Sequence, residues 1–311
     1  MGAVPRFADF DQDGHPDLVS GSYTGGLSFF KGDGKGGFHA ETKLGPISDE
    51  AAQSPCLADW DGDGDWDLAV GFISGEVKLY LNQGKLKFDQ GRTLTAAGQP
   101  IVAGDGGPNL VDWNGDGILD LVLGDDTGNV QFFEGTARGA TNFKAPVYLI
   151  PQVKQSEGWT PIKRDPKSPI GFSAKRPGVR VKPYVADWNG DGKLDLLVGD
   201  FIQIAGIEPK LTHAQVKQRD QYRKQLAELQ NGLMARYEAA MQHAEKTTGL
   251  KNDGKLTKEQ QDRWFAAYAE FLDKDPKFEE GSKKTQELMT KLRPLEKDDD
   301  ATGFVWVYLR K

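Results

Sequence analysis

Oxygen-bearing side chains recur in this chain at a spacing that suits a hard cation. The segments DFDQDGHPD from Asp9, DWDGDGDWD from Asp59, DWNGDGILD from Asp112 and DWNGDGKLD from Asp187 share one plan. Each has an oxygen ligand at positions 1, 3, 5 and 9 and a glycine at position 6. Calcium takes about six to eight oxygens in a flexible cage, which a short loop supplies if alternate side chains turn inward around a sharp bend. Gly14, Gly64, Gly117 and Gly192 provide that bend, since a residue without Cβ reaches the backbone angles it needs. The expected ligands of the first loop are Asp9, Asp11, Asp13 and Asp17, with the carbonyl of His15 at position 7. Those of the second are Asp59, Asp61, Asp63 and Asp67, with the carbonyl of Asp65. The third uses Asp112, Asn114, Asp116, Asp120 and the Ile118 carbonyl; the fourth uses Asp187, Asn189, Asp191, Asp195 and the Lys193 carbonyl. Up to four Ca²⁺ are expected, held more weakly where Asn114 and Asn189 replace a carboxylate. The alternative for each loop is a metal-free turn built on Asx side chains.

The residues around each loop describe what must position it. A short apolar stretch precedes each: Val4 to Ala8, Pro55 to Ala58, Asn109 to Val111 and Pro183 to Ala186. After it come LVSGSYTGGLSFFKG, LAVGFISGEVKLYLNQG, LVLGDDTGNVQFFEG and LLVGD. The first three read as a strand, a tight turn and a second strand, with a further strand at FHAETKL, KFDQGRTL and FKAPVYLI. Three or four strands per unit, repeating at 50, 53 and 75 residues, is the arithmetic of propeller blades. Position 2 is aromatic in every loop (Phe10, Trp60, Trp113, Trp188). Packing between neighbouring blades is expected of it, rather than stacking on a ligand.

At these residues the chain resembles the FG-GAP or VCBS repeats of integrin-α-type β-propellers and their bacterial secreted relatives, over about residues 4 to 204. The resemblance implies an all-β propeller of about four recognisable blade units, with each DxDxDG loop joining the first two strands of a blade and binding calcium. SGSY, VGFI, LGDD and VGDF stand where the Phe-Gly and Gly-Ala-Pro signatures would be. No integrin ligand or partner subunit therefore carries over.

The fourth unit is interrupted after LLVGD. The segment 205–300 reads as helical, and a strand with period-2 alternation resumes in ATGFVWVYLRK. The expected organisation is a discontinuous propeller, 1–204 plus 301–311, with a helical hairpin or three-helix insertion. One helix is expected from about Thr212 to Thr247, with Tyr222, Leu226, Leu229, Leu233, Tyr237 and Met241 as its apolar stripe. A second starts at Thr257, which with Gln260 has the pattern of a capping box. A third runs from about Pro276 to Leu292. GLKNDGKLTKEQ superficially resembles an EF-hand, but Gly249, Lys251 and Gln260 stand where acidic ligands are needed, so a turn is expected. Packing among these helices is the expectation, and the arm is also a candidate for self-association.

With 38 glycines in 311 residues, turn-rich β structure is favoured. The formal charge of −7 is a property of the acidic loops, and four bound calcium ions would bring the chain close to neutrality. No stretch is long enough to span a membrane, and no signal peptide is read at MGAVPRFADFD. Extracellular calcium modules work at about 10⁻⁴ to 10⁻³ M affinities, which together with the resemblance suggests an extracytoplasmic location. Residues 151–182 carry eight Lys or Arg against two acids. Trp159, Lys163, Arg164, Lys175 and Arg176 in that segment are the candidate surface for a glycan or protein ligand of anionic character. Nucleic acid is not expected, because no recognition motif accompanies the charge. His15, His39, His213 and His243 do not cluster in sequence, and no catalytic triad, zinc motif or phosphate loop appears. A binding module is expected. A polysaccharide lyase on a calcium-rich propeller is the alternative, and a spacer assembling through the helical arm is the third reading.

Overall fold

A computed structural model describes residues 4–22, 26–45, 47, 50, 54–150, 159–168, 171–252, 256–297 and 299–311. Two compact units are present: Met1–Ile204 with Asp300–Lys311, and Ala205–Asp299.

The first unit contains four four-stranded antiparallel sheets. Strands β1 (Val4–Ala8), β2 (Asp17–Gly21), β3 (Leu27–Phe30) and β4 (Thr42–Leu44) make the first. The second is β5 (Ser54–Ala58), β6 (Asp67–Gly71), β7 (Val77–Tyr80) and β8 (Arg92–Thr93). Next come β9 (Thr95–Ala96) and β10 (Gln99–Pro100), which form a small extra sheet with the later β14 (Asn142–Phe143). The third blade-like sheet is β11 (Gly107–Val111), β12 (Asp120–Gly124), β13 (Val130–Phe133) and β15 (Val147–Tyr148). In the fourth, β16 (Val179–Ala186) pairs with β17 (Asp195–Ile204), which pairs in turn with β18 (Asp300–Thr302) and β19 (Val305–Tyr308). Every acidic loop joins the first two strands of its sheet.

Side chains alternate across a strand, and this alternation packs the sheets face to face in chain order. In the second strands, Leu68, Leu121 and Leu196 face the preceding sheet, while Val19, Ala69 and Val122 face the following one. Phe10, Val19, Leu27 and Phe29 meet Leu68, Val70 and Tyr80 at the first junction. Trp60, Ala69 and Leu79 meet Leu121, Leu123 and Phe133 at the second, and Val122 and Val130 meet Val185, Leu196 and Val198 at the third. Burying each such side chain stabilises by about 1.5–3 kcal/mol. The Arg6 guanidinium lies 5.8 Å from the centre of the Tyr184 ring, so the first strands of the first and fourth sheets approach each other. The outward faces of these two sheets differ from the rest: Phe7, Tyr184, Trp188 and Val305 are exposed, and among the described residues no further sheet covers them. The fold is propeller-like, with no closed barrel.

The resumed strand sits where alternation places it. Its residues Trp306 and Val307 pair with Val198 and Leu197. Asp200 fastens it, accepting bonds from Phe304 N at 2.7 Å, Trp306 Nε1 at 2.7 Å and Gly178 N at 2.8 Å. Asp300 pairs with Ile204 and thus belongs to the sheet, not to the insertion. The outer strands are shorter than their sequence runs suggest. In the first sheet only Thr42–Leu44 is strand, and His39 lies outside it.

In the second unit, helix α1 spans His213–Thr248, α2 Lys258–Asp273 and α3 Pro276–Leu292. They pack on one another: Tyr237 meets Phe278 edge-on at 5.3 Å, and a Cβ on Gly281 would lie 3.0 Å from Leu233. The expected stripe faces inward except at Met241, which is exposed; Ala240 and Ala244 are buried in its stead. Small residues there let α1 lie close to its neighbours, where a methionine would not fit. The turn after α1 begins with Gly249 in the left-handed region, its N–H bonded to the Glu245 carbonyl; residues 253–255 of the EF-hand-like segment lie outside the described residues. Thr257 and Gln260 form the reciprocal capping box. Thr257→Ala is expected to cost about 1 kcal/mol, read as a lower denaturant midpoint of the helical signal at 222 nm. An unchanged midpoint would deny the cap any role.

Candidate functional site: the acidic loops

Each loop is shaped by its own carboxylates. The position-1 aspartate accepts backbone N–H bonds across the turn: Asp9 from Asp13 at 3.0 Å and Gly14 at 2.8 Å, and Asp112 from Gly115 at 2.8 Å and Gly117 at 2.9 Å. Asp59 and Asp187 do the same for Gly62 and Gly190. Position 5 accepts from position 7, as in Asp63 from Asp65 at 3.0 Å. The position-6 glycines have φ between 84° and 92°, the left-handed region that favours glycine. Position 4 adopts it too, at Gly62, Gly115 and Gly190, but Gln12 holds φ 60° in the first loop. There its side-chain amide donates to the Gly64 carbonyl at 2.8 Å.

The position-9 aspartates behave differently. Asp17, Asp67, Asp120 and Asp195 are all buried. One oxygen of each accepts the backbone N–H of position 2, at 2.8 Å from Phe10 and Trp60, 3.0 Å from Trp113 and 3.1 Å from Trp188. The other accepts from the chain beyond the third or returning strand: Gly32, Asn82, Gly135 and Arg310, each at 2.8 Å. This residue therefore clasps the loop to its sheet.

Neighbouring loops are stitched together. Trp66 Nε1 donates to the Asp9 carbonyl at 3.0 Å, and a Cβ on Gly62 would overlap the Arg138 guanidinium. Arg310 donates to the Trp113 carbonyl at 2.6 Å and lies over its ring. The loops thus line one end of the sheets.

The donor set suits calcium. Asp9, Asp11 and Asp17, and likewise Asp59, Asp61 and Asp67, each bring a carboxylate oxygen within 4.8 Å of the others. In the first loop a cation is already there: the Lys31 ammonium pairs with Asp11 and lies 2.8 Å from Asp13. That pairing holds the Asp13 carboxyl below its ordinary value and raises the lysine. The second loop has no such partner among the described residues. There burial pushes Asp67 up to about 6, and burial with the nearby Asp63 raises Asp65. In the third and fourth loops, Asn114 and Asn189 donate their amides to Asp116 and Asp191 at 3.0 and 3.2 Å. Burial also raises Asp120.

The basic segment is partly consumed by the fold. Residues 151–158 and 169–170 lie outside the described residues. Of the rest, Ile162 and Phe172 pack against Ile202 and Ile204, along the edge where the fourth sheet lacks a conventional outer strand. Isolated apolar residues thus pin this part of the candidate ligand segment to the sheet. Trp159 is half-buried beneath Arg180, whose guanidinium lies 5.4 Å from the ring centre and pairs with Asp105 at 3.3 Å. Arg164 pairs with Asp300, and Arg176 is half-buried. Lys163 and Lys175 are exposed. The five residues do not form one free surface.

Repeated antiparallel sheets, each led by an aspartate-rich loop between its first two strands, define a propeller-type repeat protein. Residues 9–70 and 112–198 match the FG-GAP-like repeat, which supports an FG-GAP-type repeat protein. No curated protein matches the chain. Among solved structures, the crystal structure of TcdB2-TccC3 without its hypervariable C-terminal region is similar at 14% identity and a TM-score of 0.32. The match covers 67% of this chain but spans only 10% of that one.

Proposed function

We propose that the chain is a calcium-stabilised, propeller-like binding module that works outside the cytoplasm and engages a glycan or protein of anionic character. The observation that carries the calcium reading is the convergence of Asp59, Asp61 and Asp67 in an all-oxygen loop whose carboxylates have no ion-pair partner among the described residues, although the Arg138 guanidinium lies against Gly62. Calcium supplies charge neutralisation there and would be held by Asp59, Asp61, Asp63, Asp67 and the Asp65 carbonyl. The other loops are weaker members of the same set. Their role is structural, since each spans the hairpin between two strands of a sheet. For the ligand, the exposed Lys163 and Lys175 are the residues to test. A binder, not an enzyme, is the reading.

Thermal unfolding in millimolar calcium and in excess chelator tests the metal. Calcium at ten times a site's Kd adds about 1.4 kcal/mol per site, so a clear rise in Tm is expected. Asp61→Ala should remove part of that rise and leave Tm in chelator nearly unchanged, because among the described residues Asp61 accepts a single bond, from the Asp63 N–H at 3.3 Å. Equal Tm in both conditions would overturn the calcium reading. For the ligand, a panel of anionic polysaccharides should bind wild type and lose affinity with Lys163→Ala and Lys175→Ala together. Unsaturated products in that panel would instead mark a lyase.

A further inference from the structure

Lys31 gives the first acidic loop a paired cation that the others lack among the described residues. It follows β3 directly, and the paired register of the second and third strands in each sheet places Leu81, Glu134 and Leu309 at the corresponding positions. Only the first sheet has a cation there. Its ammonium reaches across to Asp11 and Asp13, the position-3 and position-5 oxygens of the loop.

We propose that Lys31 is a tethered competitor for the calcium site of the first loop, so that this loop fills only at higher calcium than the second. The proposal rests on the calcium reading given above. An ammonium and a calcium ion want the same carboxylate lone pairs, and both need contact distances that place them in the same small space. A divalent ion entering beside Asp11 and Asp13 must therefore displace the ammonium or bind close to a like charge, and like charges a few ångströms apart repel strongly. The converse holds without metal. The ammonium offsets the repulsion among Asp9, Asp11 and Asp13, and the loop keeps its shape with its own cation. In the second loop the Arg138 guanidinium lies against Gly62, but among the described residues no cation is ion-paired with the loop's carboxylates, so the two loops should respond to calcium to different degrees. The second depends on the ion, and the first largely replaces it. Loop identity by sequence motif alone would rank them as equals, since both carry aspartate at positions 1, 3, 5 and 9.

The test is a site-resolved calcium titration of the full chain, following the backbone amides of Gly14, Gly64, Gly117 and Gly192 by NMR in wild type, Lys31→Met and Lys31→Gln. Two neutral replacements guard against an effect of one side chain's shape. The expected result is a Gly14 midpoint that shifts about tenfold to lower calcium in both variants, the order expected when one positive charge beside a divalent ion is removed. The midpoint at Gly64 should stay in place. A Gly14 resonance that titrates only in the variants supports the proposal equally. If Gly64 titrates while Gly14 has the same midpoint in all three proteins, Lys31 is no competitor and the proposal is overturned with the calcium reading intact. If none of the four glycines titrates in any protein, the calcium reading itself fails and takes the proposal with it.

Discussion

Asp120→Ala is expected to destabilise the protein by about 3–5 kcal/mol in chelator as well as in calcium, because each buried N–H it orphans costs about 1–3 kcal/mol. Its carboxylate is fully buried and accepts from Gly135 N at 2.8 Å, Trp113 N at 3.0 Å and Asn114 N at 3.3 Å. An alanine methyl replaces none of these bonds, and the Gly135 N–H, whose bond is fully buried, is left without a partner. The loss would be a large part of the roughly 5–15 kcal/mol available to a typical domain. Asp61→Ala should behave in the opposite manner, acting only when calcium is present. Urea midpoints of both variants, each measured with calcium and with chelator, separate the clasp from the cage. A neutral Asp120→Ala in chelator would mean that the carboxylate acts through metal alone.

That division of labour was only half legible in the sequence. Positions 1, 3, 5, 6 and 9 of the loops, the flanking strands and the helix boundaries follow from residue type and period, because each depends on neighbours close in the chain. Thr257 and Gln260 announce a helix start for the same reason, and their capping box is present. The second role of position 9 does not follow, since its partners Gly32, Asn82, Gly135 and Arg310 are brought in by the returning strands. Lys31 is likewise 20 residues from Asp11 and meets it only through the hairpin register. The glycine at position 4 of three loops was a visible signal for a second left-handed residue. The sheet of β9, β10 and β14 rests on pairs of residues too short to show alternation. Ile162 and Phe172 gave no period at all, so a segment rich in lysine and arginine concealed its packing side.

Trp60→Ala is expected to cost about 3–5 kcal/mol, while Trp188→Ala, at the same position of the same motif, should cost less than about 0.5 kcal/mol, as surface substitutions usually do. The two indoles differ only in what lies beyond them. Trp60 is 3% exposed, packed between the second and third sheets with Phe143 5.9 Å away. Phe10 fills the corresponding place at the first junction, and Trp113 at the third. Trp188 points to the side where a following sheet would stand, and it is 62% exposed. Its backbone bond to Asp195 survives the substitution, so the comparison isolates the ring. Denaturant midpoints in saturating calcium give both costs under one condition. Equal losses at the two positions would mean that the outward face of the fourth sheet is covered in solution, by an apolar surface that supplies what the third sheet supplies to Trp60.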